Sequence, residues 1–152
     1  MKHKIYVIRH QRPGSTVGNC VAKEEIRRTK LLYNRIRVLN IEKVITCEPN
    51  ETKHIRPLQT ASNLCSLMNV LLEVCKDVYM LPKIVNANIL IVWHHADMEA
   101  IINHYGLENS FEWPEDDYDG CIIINNNGWQ YQNNFFSREM NNTCLSILNM
   151  NF

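Results

Sequence analysis

Short apolar runs alternate with longer amphipathic stretches along this chain. Residues 4–9, Lys-Ile-Tyr-Val-Ile-Arg, are apolar on both faces of an extended segment, as in central strands of a sheet covered on both sides. Across 22–39, Ile26, Leu32, Ile36 and Leu39 share one helical face while Lys and Arg fill the others. Residues 43–47 predict a second strand. Pro57 suits the first turn of a helix, where a missing N–H costs nothing, and that helix runs on through Thr60, Ala61, Leu64, Leu67 and Met68. A short strand is expected at 70–74 and an all-apolar one at 89–93. Residues 96–105 read as a helix, with Gly106 where a left-handed cap belongs. An acid-rich loop, 112–119, leads to a strand at 121–124. Asn127-Gly128 then signals a hairpin whose return, 129–132, is an edge strand.

Strands alternating with helices predict an α/β fold, a three-layer α/β/α sandwich. Its central sheet is expected to be mostly parallel, with a C-terminal antiparallel hairpin. The length of 152 residues suits one domain over 1–152, with 137–152 as a loosely packed tail.

Charge narrows the partners. Sixteen basic residues balance sixteen acidic ones, which argues against a nucleic-acid or anionic-membrane surface. No apolar stretch approaches the ~20 residues of a membrane span, and no signal-peptide pattern opens the chain, so a cytoplasmic protein is expected. Six cysteines include no CxxC pair, so neither a zinc ribbon nor a dithiol redox site is predicted, and the thiols read as core residues.

The candidate chemistry sits at strand ends. His10 follows the first strand and His94 the strand at 89–93, and ligands of α/β sheets bind at carboxyl ends of strands. Arg9 precedes His10, and Arg56 opens a helix after the second strand. Two Arg and two His converging there would form an anion site. Guanidinium groups pair with phosphate oxygens, and an imidazole can attack phosphorus. Metal binding by His94-His95 is disfavoured, because adjacent residues of an extended segment point apart. The basic residues of 22–39 read as a solvated face, and Trp93 and Trp113 as packing groups.

Three segments together resemble the histidine phosphatase superfamily, in its phosphoglycerate-mutase-like branch. IYVIRHQRPGS is similar to the family's opening strand and Arg-His-Gly. HIRPLQTASNL resembles its Arg-Ala-x-Gln-Thr-Ala helix start, and ILIVWHHADMEAII its second-histidine motif. WPEDDYDGCIII is more weakly like the last sheet strand. The resemblance implies His10 as the nucleophile, Arg9 and Arg56 as phosphate-holding residues and His94 as the second pocket histidine. It also implies hydrolysis without a metal or organic cofactor, on a phosphorylated small molecule or phosphoprotein.

The chain departs from the family in the loop after Arg12 and in the spacing from Cys47 to Arg56, both of which carry extra residues, and in four further ways. Gln11 replaces Gly, and Arg12 stands where many members have Glu. The stretch from Arg56 to His94 is too short for the lid insertion of larger members. No residue matches the proton-donating Glu, for which Glu73, Asp77 and Asp97 are candidates. Asp97 reads equally as a helix N-cap, and Glu73 as a solvent-facing strand residue. The expected function is a phosphatase acting through a phosphohistidine. The alternative is a module on the same fold that binds phosphorylated ligands without turning them over.

Overall fold

In a computed structural model of the chain, the described residues are 3–10, 23–49, 55–107, 111–126, 128–133 and 135–136. Gln11, Arg12, His54, Asn127 and the tail 137–152 lie outside them. Six strands form one sheet: β1 (Ile5–Arg9), β2 (Lys43–Cys47), β3 (Leu71–Cys75), β4 (Ile89–Trp93), β5 (Cys121–Asn125) and β6 (Gly128–Gln132). Their spatial order is β3-β2-β4-β1-β5-β6. The four strands β3, β2, β4 and β1 are parallel, whereas β5 is antiparallel to β1 and β6 antiparallel to β5.

The period-two alternation sorts the core into two layers. Ile5, Val7, Ile45, Ile89, Ile91, Trp93, Ile122 and Ile124 face one side, where they meet Met98, Ile101, Ile102 and Trp113. Tyr6, Ile8, Val44, Leu90, Val92, Cys121 and Ile123 face the other, against α1 (Lys23–Ile36) and α2 (Ile55–Met68). The third helix, α3 (Met98–His104), covers the first side. Both faces of β1 and β4 are buried, as their unbroken apolar sequence demands. The result is the expected α/β/α sandwich. Among the described residues, no helix is long and apolar enough to cross a membrane.

Element boundaries differ from the sequence pattern where local geometry intervenes. The helix expected over 22–39 tightens to a 3₁₀ turn at Arg37–Leu39 and ends at Asn40, with φ 55°. The strand expected at 70–74 is displaced by one residue, because Cys75 is in register with Cys47 and its carbonyl accepts the Glu48 N–H at 2.9 Å. The helix expected from residue 96 begins as a 3₁₀ turn, His95–Asp97. Its C-terminus is as anticipated: Gly106 has φ 75°, and the Gly106 and Leu107 N–H groups donate to Asn103 and Ile102 carbonyls. This pattern is the Schellman motif. Asn125 pairs with Gly128, so the hairpin reverses one residue earlier than the Asn-Gly dipeptide suggests.

Candidate active site

Parallel register sets the strand ends that precede the two histidines side by side. Arg9 is the partner of Trp93 across the β1–β4 pair, so His10 and His94 leave adjacent strands one residue later. Strand β2 lies on the other side of β4, and α2 starts after it at the same sheet edge. Arg56 is the second residue of α2 and is exposed. Helix N-termini carry unsatisfied N–H groups, so Arg56 stands beside further donors suited to an anion.

His94 is held by its own loop. Its Nε2 lies 3.1 Å from Asp97 Oδ2, and the same oxygen accepts the Trp93 indole N–H at 3.0 Å. Asp97 stands at the N-cap position of α3, yet its side chain makes no capping hydrogen bond. The capping reading is thereby corrected: the carboxylate turns back to Trp93 and His94. Glu73 is paired with Lys43 at 2.9 Å on the edge strand, both half-exposed. Lys43 opens β2, so this pair leans away from the carboxyl ends of the strands. Asp77 follows β3 at that end and is exposed.

Arg9 is only 5% exposed and points into the layer of Trp93 and Trp113. Its Nη1 donates to the Glu115 carbonyl and, at 3.5 Å, to that of Asp117. Nη2 donates to the Tyr118 hydroxyl at 3.1 Å, and the guanidinium lies 3.8 Å from the centre of that ring. The Tyr118 ring also meets the His10 ring in a T-shaped contact, with ring centroids 5.7 Å apart. Burial lowers the Arg9 pKa from its usual value, opposed by Tyr118 and the acids Asp117, Glu115 and Asp116.

The contacts from Tyr118 were not foreseen from sequence, where 112–119 reads as an acidic connection. The missing signal is topological. Ile8 pairs with Cys121 in the antiparallel β1–β5 ladder, so residues just before β5 run beside Arg9 and His10.

Beside this edge lies a cavity of ≈ 580 Å³, lined by His95, Glu99, Phe111, Glu112, Trp113 and Glu115 among others. That volume is within the range of small-ligand sites. Desolvation lowers the His95 pKa; Arg9 adds to the effect and Glu115 opposes it. Cys47, at the end of β2, is buried, and its thiol is pushed up to about 11, mainly by desolvation.

One solved structure with a matching fold is SixA of Agrobacterium tumefaciens, described as a candidate phosphohistidine phosphatase. The TM-score is 0.54, over 86% of this chain and 96% of that one, at 12% sequence identity. The chain has the phosphoglycerate-mutase-like fold. No family model matches the sequence, and no curated protein does. In this fold His10 and His94 follow the carboxyl ends of β1 and β4, and Arg9 is the last residue of β1.

Proposed function

We propose that the protein is a phosphatase that hydrolyses phosphomonoesters, or phosphoryl groups on proteins, through a phosphohistidine at His10. The observation that carries this reading is the pairing of two histidines at adjoining strand ends, with Arg9 on the first element. The fold shared with SixA supports it at the level of architecture.

On this reading His10, neutral at the attacking nitrogen, approaches phosphorus in line with the leaving oxygen. The N–P bond forms as the P–O bond breaks, and the leaving group departs with a proton. Water then attacks the phosphohistidine, releasing phosphate and restoring His10. Arg9, Arg56 and His94 offset charge on the transferring oxygens. Asp97 orients His94, and Glu73, paired with Lys43 toward the start of β2, is poorly placed to serve as acid. Asp77 remains the candidate donor that follows β3. The neighbouring cavity receives the rest of the substrate. Its three glutamates make it a poor host for further negative charge.

The alternative is a module that binds phosphorylated ligands without turnover. Arg9 favours it, since both terminal nitrogens are already engaged by the 115–118 segment.

The test is aryl-phosphate hydrolysis by wild type and His10→Ala, with and without chelator, followed by trapping of acid-labile, base-stable phosphoprotein. Chelator-resistant turnover and trapped phosphate, both lost in His10→Ala, are expected. Full activity in pure His10→Ala rules out His10 as nucleophile. Phosphate or vanadate binding without turnover selects the alternative.

A further inference from the structure

We propose that Tyr118 is a positioning residue of this site, fixing Arg9 through its hydroxyl and ring face and His10 through a T-shaped ring contact. The roles of Arg9 and His10 rest on the phosphatase reading above. The way they are held rests on the contacts alone.

One side chain meets both groups. Its hydroxyl accepts from Arg9 Nη2 at 3.1 Å, its face lies 3.8 Å from the guanidinium carbon, and its ring makes a T-shaped contact with the His10 ring. A cation over an aromatic face is attracted by the ring quadrupole, more strongly when desolvated. Arg9 is desolvated, at 5% exposure.

Tyr118 is itself held by an anchored loop. The Trp113 indole N–H donates to the Asp117 carbonyl at 2.8 Å, and Trp113 is buried in the core. The Asp117 N–H donates to the Pro114 carbonyl at 3.0 Å, and its Oδ1 accepts the Asp119 N–H at 2.8 Å. The loop is therefore a scaffold, and Tyr118 transmits its position to Arg9 and His10.

The arrangement has a chemical consequence at Arg9. Both terminal nitrogens are directed at the loop, while Nε is buried and has no hydrogen-bond partner among the described residues. A buried donor left unpaired is costly, so the contacts at the two terminal nitrogens must hold the guanidinium against that cost. Tyr118 thereby helps to set where the guanidinium is held.

The test compares Tyr118→Phe, which keeps the ring, with Tyr118→Leu, which removes it. Both are read first without substrate, by NMR of the Arg9 guanidinium and His10 ring protons. In wild type, slow guanidinium rotation should resolve the Arg9 Nη protons, and His10 should carry a ring-current shift from Tyr118. Tyr118→Phe should broaden the Arg9 Nη2 signals and keep the His10 shift, whereas Tyr118→Leu should alter both.

With aryl phosphate, Tyr118→Phe is expected to raise KM by about three- to tenfold with kcat within about twofold. Tyr118→Leu should also lower kcat by about tenfold or more. If Tyr118→Leu fails to fold, an unchanged Arg9 pattern in Tyr118→Phe overturns the proposal. Kinetic constants in Tyr118→Leu within about twofold of wild type overturn it as well. If wild type turns over nothing while the NMR signals respond as expected, the phosphatase reading fails and the positioning role stands.

Discussion

Gly120 sets two opposing effects against each other, and their sizes decide the sign of Gly120→Ala. The residue sits between the Tyr118 loop and β5, and its φ lies outside the left-handed region, so no backbone strain opposes Ala there. Restricting the unfolded chain would then stabilise the protein by about 0.4–1 kcal/mol. The added Cβ, however, would collide with Asp117 Oδ2 and stand 2.7 Å from the Tyr131 hydroxyl and 2.9 Å from the Tyr131 ring. Ordinary carbon contacts need about 3.5–4.0 Å, so each neighbour must retreat by roughly an ångström. Neither is free to do so. The Asp117 carboxylate is tied to the Asp119 N–H, and the Tyr131 ring packs on Phe111 and Trp113. Overpacking of this kind costs about 1–3 kcal/mol and outweighs the entropic gain. The net loss should be about 1–2 kcal/mol, a Tm drop of roughly 2–8 °C for a chain of this size. Urea and thermal unfolding followed by circular dichroism measure it. Tyr131→Phe removes the hydroxyl contact and should return part of the loss in a double-mutant cycle. A Tm equal to or above wild type for Gly120→Ala would refute the steric argument.

Three further outcomes follow from the site. Asp97→Asn should impair turnover or vanadate binding by loosening His94, whereas Glu73→Gln should leave both intact and change stability by less than about 0.5 kcal/mol; the reverse order in a side-by-side assay would contradict the geometry. Cys47, with its thiol pushed up to about 11 and buried, should resist iodoacetamide at neutral pH in the native protein and react once unfolded, as read by peptide mass spectrometry; rapid native labelling would contradict its burial. The His95 pKa is lowered on folding, so the unfolded chain binds its proton first. Its contribution to stability is present above the unfolded value near 6.5 and is lost as pH falls through the folded value. His95→Gln should therefore flatten the acid side of a stability–pH curve, and an unchanged slope would count against the shift.

The strands were legible because β1, β4 and β5 carry β-branched and apolar residues on both faces, a pattern with few alternatives. Once their order is known, the adjacency of the strand ends before His10 and His94 follows from register. What the pattern does not carry is anything set by pairing across distant segments. Tyr118 meets Arg9 only because β5 runs antiparallel to β1, and nothing around residue 118 announces that partner. Asp97 failed as a cap for a related reason. Its sequence position suits capping, but Trp93 and His94 offer donors to the same oxygen. The displaced hairpin reversal shows that an Asn-Gly pair marks a turn without fixing its register.

The central strand is also the one that waits longest for neighbours. Strand β1 is synthesised first, yet its partners β4 and β5 come some 80 and more residues later; the Lys4 N–H already bonds the Asn88 side chain across 84 positions. Closing a loop of that length costs about 4 kcal/mol of chain entropy before any contact repays it. Such non-local pairing marks slow folders, on a millisecond-to-second scale rather than microseconds. The candidate nucleophile therefore has no site around it until most of the chain has emerged, so activity should report late, near-complete folding and be absent from N-terminal fragments.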